Sequence, residues 1–437
     1  MKSQNKNYLA IKNHTLLYAS NDKAFEGALQ KGMKMGVKVK VARTAKELSD
    51  VYRLRYQIYH VEEGFYQDNK SGFVTDVYDS IPNTVNVIAY NDLGEPIGTI
   101  RAVEDSEIGT PSDSSFDFTP YREKIRKEAK ENGADEPQFV SAGMLAIAPE
   151  WRNRRDVFRS LLRMAVDVGK SMQKTHIIST VNHETISIYK RLGWDLLAEP
   201  ILIEEIGTSI VPVAISLDVI YQWAFDSLIK QRKLLEHFSG CFQWYLMDGN
   251  TVLFEQDDKG DDAYLVTKGM VDITCYYKES DKRIPLAHLV VGDMFGEMSL
   301  IDEAPRSASA ITRGNTELLV INREAFWQKI DENPAYLRDL MSVLSSRLRS
   351  ADERAILYAH APVQERLNYF IRALEQYALP DPRNPERKIS KTGVEELAEM
   401  SLTSPQEALS FLQTLEKENK IELNKGKLIF LGTEFSS

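Results

Sequence analysis

Short apolar runs alternating with polar residues, and punctuated by Gly and Asp, fill the stretch from 249 to 294. Gly249-Asn250-Thr251-Val252-Leu253-Phe254 leads to the acidic turn Asp257-Asp258-Lys259-Gly260-Asp261-Asp262 and then to Ala263-Tyr264-Leu265-Val266. Lys268-Gly269-Met270-Val271-Asp272-Ile273 and Val291-Gly292-Asp293-Met294 continue the series. This spacing predicts an all-β barrel of short strands. From Pro334 the period lengthens. Tyr336 and Leu337 open a pattern through Leu340, Leu344, Leu348 and Ile356, with Arg347, Arg349 and Arg354 on other faces. That reads as one long amphipathic helix. A second helix is expected over Val363–Tyr377, followed by a break at Pro380-Asp381-Pro382. Helices over Val394–Met400 and 404–418 and a strand pair within 421–431 complete the pattern.

The N-terminal half alternates strand and helix signals. Met144-Leu145-Ala146-Ile147 reads as a strand, Pro149 to Arg155 as a turn, and 156–170 as an amphipathic helix. Val181-Asn182 ends another strand, a helix closes on Tyr189-Lys190-Arg191-Leu192-Gly193, and Trp194 opens the next strand. Between the halves, Val219, Ile220, Trp223, Leu228 and Leu234 mark a helix within 216–238, with no flexible Gly/Ser linker.

The densest chemistry lies in Phe295-Gly296-Glu297-Met298-Ser299-Leu300-Ile301-Asp302-Glu303-Ala304-Pro305-Arg306-Ser307-Ala308-Ser309. Gly296 lets the backbone approach a ligand, and the turn after Glu297 offers amides to an anion. Arg306 supplies a fork of donors for a phosphate, and Glu297 an acceptor for a ribose hydroxyl. The plainer alternative is a surface turn in which Glu297 and Arg306 pair with each other. This segment resembles the phosphate-binding cassette of cyclic-nucleotide-binding domains, and the resemblance extends over roughly 238–330. It implies that Gly296, Glu297, Met298, Ser299, Arg306, Ser307 and Ala308 bind a cyclic nucleotide, with cyclic AMP favoured over cyclic GMP. In transcription regulators resembling the cyclic-AMP receptor protein, the helix that follows forms a dimer seam. By that resemblance residues 335–359 hold a homodimer, and Ala351 and Asp352 fall beside the base.

The same regulators end in a winged helix, which residues 389–431 resemble. A DNA-reading helix needs Arg, Lys, Asn or Gln near its start. Here Ser404-Pro405-Gln406-Glu407-Ala408-Leu409-Ser410-Phe411 offers only Gln406. Between Ile389 and Leu431 five Lys and no Arg face seven Glu, a net repulsion for a phosphate backbone. DNA is therefore not expected as a partner.

The motif from Val181 to Trp194 resembles the last motif of the GNAT acyltransferase superfamily, and Met144 to Lys170 its central strand and donor-binding turn. Leu54-Arg55-Tyr56-Gln57-Ile58-Tyr59, Glu63-Gly64-Phe65, Asp76-Val77-Tyr78-Asp79, Asn83-Thr84-Val85 and Ile97-Gly98-Thr99-Ile100-Arg101 occur in the order seen in autoinducer synthases and N-acyl amino acid synthases. The resemblance covers roughly 40–217. It implies transfer of an acyl group from acyl carrier protein or acyl-coenzyme A to an amine. Such a reaction must hold the amine, remove its proton and polarise a thioester. Asp76 and Asp79, with Glu62 or Glu63, are the candidate carboxylates for the first two tasks, Arg55 and Arg101 for orienting them or binding a substrate carboxylate, and Tyr189 for protonating the leaving thiolate. Leu145, Ile147, Arg152, Arg154, Arg155 and Asn182 are the candidates for holding the donor. The usual turn reads Arg-x-x-Gly-x-Gly/Ala, whereas Arg155 and Val157 stand at its two small positions. Three arginines there suit a phosphopantetheine carrier or its acidic surface. Ser141 and Met144 stand where the autoinducer synthases carry a Glu and an Arg, which argues against homoserine lactones as products; an amino acid, a small amine or a protein lysine is the expected acceptor.

Length and charge set the remaining bounds. A chain of 437 residues with 43% apolar content supports several cores. A net charge of −10 opposes a mainly electrostatic nucleic-acid partner. Cys241 and Cys275 make neither a disulfide framework nor a metal site, and no metal is expected. A polar N-terminus without an apolar run of membrane-spanning length predicts a cytoplasmic protein. The expected organisation is multi-domain α+β. It comprises an N-terminal extension (1–38), a GNAT-like α/β N-acyltransferase (39–217), a linker helix (218–237), a jelly-roll β-barrel that binds cyclic nucleotide (238–330), a long dimer helix (331–361) and a winged-helix-like unit (362–437). The function expected is an N-acyltransferase controlled by a cyclic nucleotide. The alternative is a nucleotide-responsive transcription regulator with an ancillary GNAT-like unit.

Overall fold

A computed structural model describes residues 36–65, 70–204, 207–226, 228, 232–277, 282–381, 384–390, 393–424 and 427–432. The expected N-terminal extension lies outside these residues up to 35, as does the side chain of Leu234.

In the N-terminal half, strands β1 (Val37–Val41), β2 (Thr84–Tyr90), β3 (Pro96–Glu104) and β4 (Phe139–Ile147) follow one another antiparallel. β5 (His176–Asn182) joins β4 in parallel. After the short strands β6 (Asp195–Leu196) and β7 (Ile201–Ile203), β8 (Thr208–Ser216) returns antiparallel to β5. Two helices flank the early strands: α1 (Ala45–Arg55), opened by a Thr44/Glu47 capping box, and α2 (Thr119–Glu131). Helix α3 (Arg155–Ser171) covers one face of the sheet, burying Val157, Leu161, Met164, Ala165 and Val168 at helical spacing. Each of the Val, Leu and Met side chains contributes about 1.5–3 kcal/mol by leaving water. The short helix α4 (Ile186–Arg191) precedes Trp194.

The segment expected as one linker helix holds two, α5 (Leu217–Phe225) and α6 (Arg232–His237). Beyond them come β9 (Gln243–Met247), β10 (Val252–Phe254), β11 (Asp262–Tyr277), β12 (Lys282–Leu289), β13 (Met294–Phe295) and β14 (Ser309–Asn322). They enclose Tyr245, Tyr264, Val266, Phe295 and Val320. Helix α7 (Met298–Asp302) carries the cassette, and α8 (Arg323–Glu332) leads into the 25-residue α9 (Tyr336–His360). Met341, Leu348 and Ile356 on α9 are 64%, 65% and 65% exposed, an apolar row that this chain leaves in water. A separate C-terminal core gathers α10 (Val363–Tyr377), α11 (Val394–Met400) and α12 (Pro405–Lys417) against four short strands: β15 (Leu379–Asp381), β16 (Asn384–Ser390), β17 (Ile421–Asn424) and β18 (Lys427–Phe430). No helix among the described residues is long and apolar enough to cross a membrane.

The sequence pattern suggested two separate units joined by a helix, but the sheet is continuous. β9 pairs with β1 on one edge, through Val39↔Trp244 and Lys38↔Tyr245, and with β14 on the other, through Leu319↔Trp244. Gly36 enters β1 with φ +70, where a Cβ would lie 1.7 Å from the Leu246 carbonyl oxygen, so the close approach requires glycine. One apolar core crosses the seam, running from Val39 and Leu161 through Ile220 and Trp244 to Leu319, Phe326 and Leu340.

Candidate functional site

The parallel pair β4–β5 is hydrogen-bonded only from Phe139↔His176 to Ser141↔Ile178, and beyond that point the strands part. A cleft of about 560 Å³ opens between them, floored by the sheet and roofed by α3. On β4 the register with β3 steps from Arg101↔Gly143 to Thr99↔Ala146, so Met144 and Leu145 together face Ile100. This is a β-bulge, and Met144 takes the left-handed conformation at φ 51. Such a bulge leaves a residue of the strand out of the ladder.

Residues 56–62 form a π-helical turn along the cleft, which brings Tyr59 and Glu63 to its wall. The Tyr59 hydroxyl donates to the Leu145 carbonyl at 2.9 Å and so ties that turn to the bulge. Tyr189 reaches the cleft from α4, is 8% exposed, and stacks edge-on with Trp194 at 5.4 Å. Burial pushes its phenol up to about 12, so it keeps its proton throughout the physiological range. Asn182, at the end of β5, accepts from the Glu184 amide at 2.9 Å and lines the rim.

Of the transferase residues named from sequence, Glu63, Leu145, Ile147, Arg152, Asn182 and Tyr189 therefore border one cleft. Arg152 is engaged at the rim. It grips Glu62 with both guanidinium ends at 2.6 and 2.7 Å and donates Nε to the Ile147 carbonyl at 3.0 Å. Arg154 and Arg155 lie in a second depression, between the N-terminus of α3 and the barrel, and there Arg154 pairs with Asp156 at 2.7 Å and Asp248 at 3.2 Å.

Asp76, Asp79 and Arg101 do not border the cleft; they form an ion cluster with Arg55 that is buried except for the partly exposed Asp76. Arg101 holds Asp76 with both ends at 2.7 Å and Asp79 at 2.9 Å, while Arg55 reaches Asp79 at 3.1 Å and Asn86. Burial raises the Asp79 carboxyl, but the Arg55 and Arg101 guanidiniums outweigh it and hold it below the usual range. A carboxylate held this way is a poor proton acceptor and a strong orienting group. Sequence reading missed Tyr59 as a tether and Glu62 as the partner of Arg152. Only the position of Tyr59 three residues ahead of Glu62 hinted that both follow one turn.

In the barrel, Arg306 is 4% exposed and its fork donates to the carbonyls of Gly296 and Asp262, both at 2.8 Å. Its guanidinium lies 4.2 Å from the Phe254 ring centre, and its Nε is buried with no hydrogen-bond partner among the described residues. Gly296, at φ +75, is the second place where glycine is required, since a Cβ would lie 2.7 Å from Arg306 Nη1. Glu297 and Ser299 are buried within the cassette, Ala308 is 7% exposed, and Met298 and Ser307 face solvent. These groups fit a cyclic phosphodiester: a buried guanidinium with an unused donor, a backbone cradle that only glycine allows, and a buried carboxylate beside them. Ala351 and Asp352 on α9 are exposed in the single chain.

Residues 50–216 match the family model of the N-acyl amino acid synthase FeeM, and residues 247–333 that of the cyclic nucleotide-binding domain. The Cyclic AMP receptor protein of Thermus thermophilus is 34% identical over 185 residues, which span 42% of this chain and 82% of that protein. The CRP-like cAMP-activated global transcriptional regulator of Mycobacterium tuberculosis is 33% identical over 101 residues, 23% of this chain and 44% of that one. The solved structure of FeeM, an N-acyl amino acid synthase from uncultured soil microbes, aligns at 14% identity and a TM-score of 0.34, covering 41% of this chain and 90% of that one.

Proposed function

Because the chain belongs to the cyclic AMP receptor protein family through its C-terminal half and carries an N-acyl amino acid synthase domain ahead of it, we propose that it is an N-acyltransferase governed by a cyclic nucleotide. The single observation that carries this reading is the cleft between β4 and β5, bordered by a carboxylate and a protonated phenol, in a sheet that continues into the nucleotide-binding strands. The donor is an acyl thioester of acyl carrier protein or coenzyme A, and the acceptor an amine.

The chemistry follows GNAT-type acyl transfer. The amine nitrogen attacks the thioester carbon, the C–S bond breaks, Glu63 takes the proton the amine sheds, and Tyr189 gives one to the departing thiolate. Amides of the bulge at Met144–Leu145 stabilise the oxyanion. Asp76, Asp79, Arg55 and Arg101 position the acceptor's side of the sheet. In the barrel, Arg306 and the cassette amides take the cyclic phosphate and Glu297 a ribose hydroxyl, with cyclic AMP favoured. Helix α9, with its exposed Met341, Leu348 and Ile356, is read as a dimer seam, and 394–430 as a winged helix that does not read DNA.

Acyl transfer to an amino acid pool, measured with and without cyclic AMP in wild type and Arg306→Ala, tests this. A rate that responds to nucleotide in the wild type and not in the variant is expected. Absence of any acylated amine overturns the transferase, and equal rates in all four cases overturn the control.

A further inference from the structure

The inner end of the cleft is built by the helix that leaves the N-terminal unit for the barrel. On one face of β5 exposure falls from Val181 at 7% through Ser179 at 4% to Ile177 at 2%, where β4 and β5 close together. Helix α3 supplies the facing wall with Phe158, Leu162 and Val166. Helix α5 starts at this closed end: Ile215 pairs with Ile177, and the Leu217 amide donates to the Thr175 carbonyl at 2.7 Å. One turn into α5, Ile220 is 2% exposed and borders the cleft. The wall from Val181 to Ile177 and that from Phe158 to Val166 each run about 12–13 Å. That length suits an extended acyl chain of about ten carbons.

Both inner walls are fastened to the barrel by their outward residues. On α5, Phe225 packs 6.3 Å from Trp244, the β9 residue paired to both β1 and β14. On α3, Arg163 lies 4.9 Å from the Trp244 ring and ion-pairs with Glu317 of β14 at 3.0 Å. β14 begins three residues after Arg306.

Resting on the transferase reading above, we propose that Ile220 is the chain-length-determining residue of the acyl pocket, and that nucleotide at the cassette adjusts which acyl chain is accepted through α5. Ile220 is the floor against which the terminal methyl group packs, and it rides on the element that the barrel holds. The nucleotide therefore acts on product identity as well as on rate.

The test supplies saturated acyl-coenzyme A and acyl carrier protein donors from eight to sixteen carbons to the full chain, with and without cyclic AMP, and reads kcat/KM for each. Ile220→Ala moves the optimum to longer chains and Ile220→Phe to shorter ones. The ratio between donors two methylenes apart changes about tenfold or more. Cyclic AMP shifts the wild-type profile. Val219→Ala, on the 53% exposed face of the same helix, leaves the profile in place and controls for general damage to α5. Products with an unchanged profile in both Ile220 variants overturn the floor, and a profile blind to cyclic AMP overturns the adjustment, while the transferase reading stands in either case. No product from any donor in the wild type overturns that reading, and this inference with it. If both Ile220 variants fail to fold, donor competition on the wild type decides the floor: a cut-off sharper than tenfold per two methylenes supports it and a flat profile overturns it.

Discussion

Burial acts on Tyr189 and Asp79 with different results, and the difference assigns them different work. Tyr189 has no charged neighbour among the described residues to offset desolvation, so its phenol stays protonated up to about 12 and can serve as an acid toward a thiolate. Asp79 has two guanidiniums against it and stays ionised. Replacing Tyr189 by Phe is expected to lower kcat about a hundredfold with donor KM unchanged. Steady-state kinetics on both parameters check this, and an equal loss in KM alone would make Tyr189 a packing residue. The cassette residues were legible in the sequence because Gly296, Glu297, Pro305 and Arg306 are unusual types at fixed spacing. Tyr59 was not, since its hydroxyl bond to Leu145 joins residues 86 apart.

At the level of elements, helix α3 was legible from its 3.6-residue period, and α9 likewise. The π-helical turn at 56–62 and the bulge at Met144 were not. A π turn leaves no period in seven residues, and a methionine in the left-handed region carries none of the signal a glycine would. Helix α3 also has a seam contact that pattern cannot show. Asp167 is 1% exposed, and its two oxygens accept from the Ser239 hydroxyl at 2.8 Å and the Gly240 amide at 2.7 Å. Burial pushes its carboxyl up to about 6 from 3.8, against the pull of those two donors. The folded state therefore holds a proton that the unfolded chain releases earlier. Stability from this group is intact below the unfolded value and is lost as pH rises through about 6, by about 3 kcal/mol in all. Asp167→Asn removes the titration. Thermal melts at about pH 4.5 and about pH 7.5 should show the wild type losing ground to the variant at the higher pH. A constant difference between the two proteins would sink the assignment.

Across the whole molecule, the join between the halves was hidden because β1 and β9 lie some two hundred residues apart and each reads as an ordinary strand of its own unit. Trp244 stands at the centre of the join, 1% exposed, between β1, β14, Arg163 and Phe225. Trp244→Ala is expected to cost about 3–5 kcal/mol. It should also divide a shared unfolding step into two, one for each side of the seam. Denaturant titrations followed by acyl transfer and by nucleotide binding check this, and coincident transitions in the variant would refute it.

The unbroken sheet has a consequence for how the chain can be handled and inherited. Severed between α5 and β9, the N-terminal piece would bare Val37–Val41 as an open, mostly apolar edge, and the barrel piece would bare Gln243–Met247. Each edge is a template for pairing with a second copy of itself, so the separated halves are prone to aggregate. Neither half is a portable module, and insertions or rearrangements at this boundary carry a solubility penalty that the intact chain never meets.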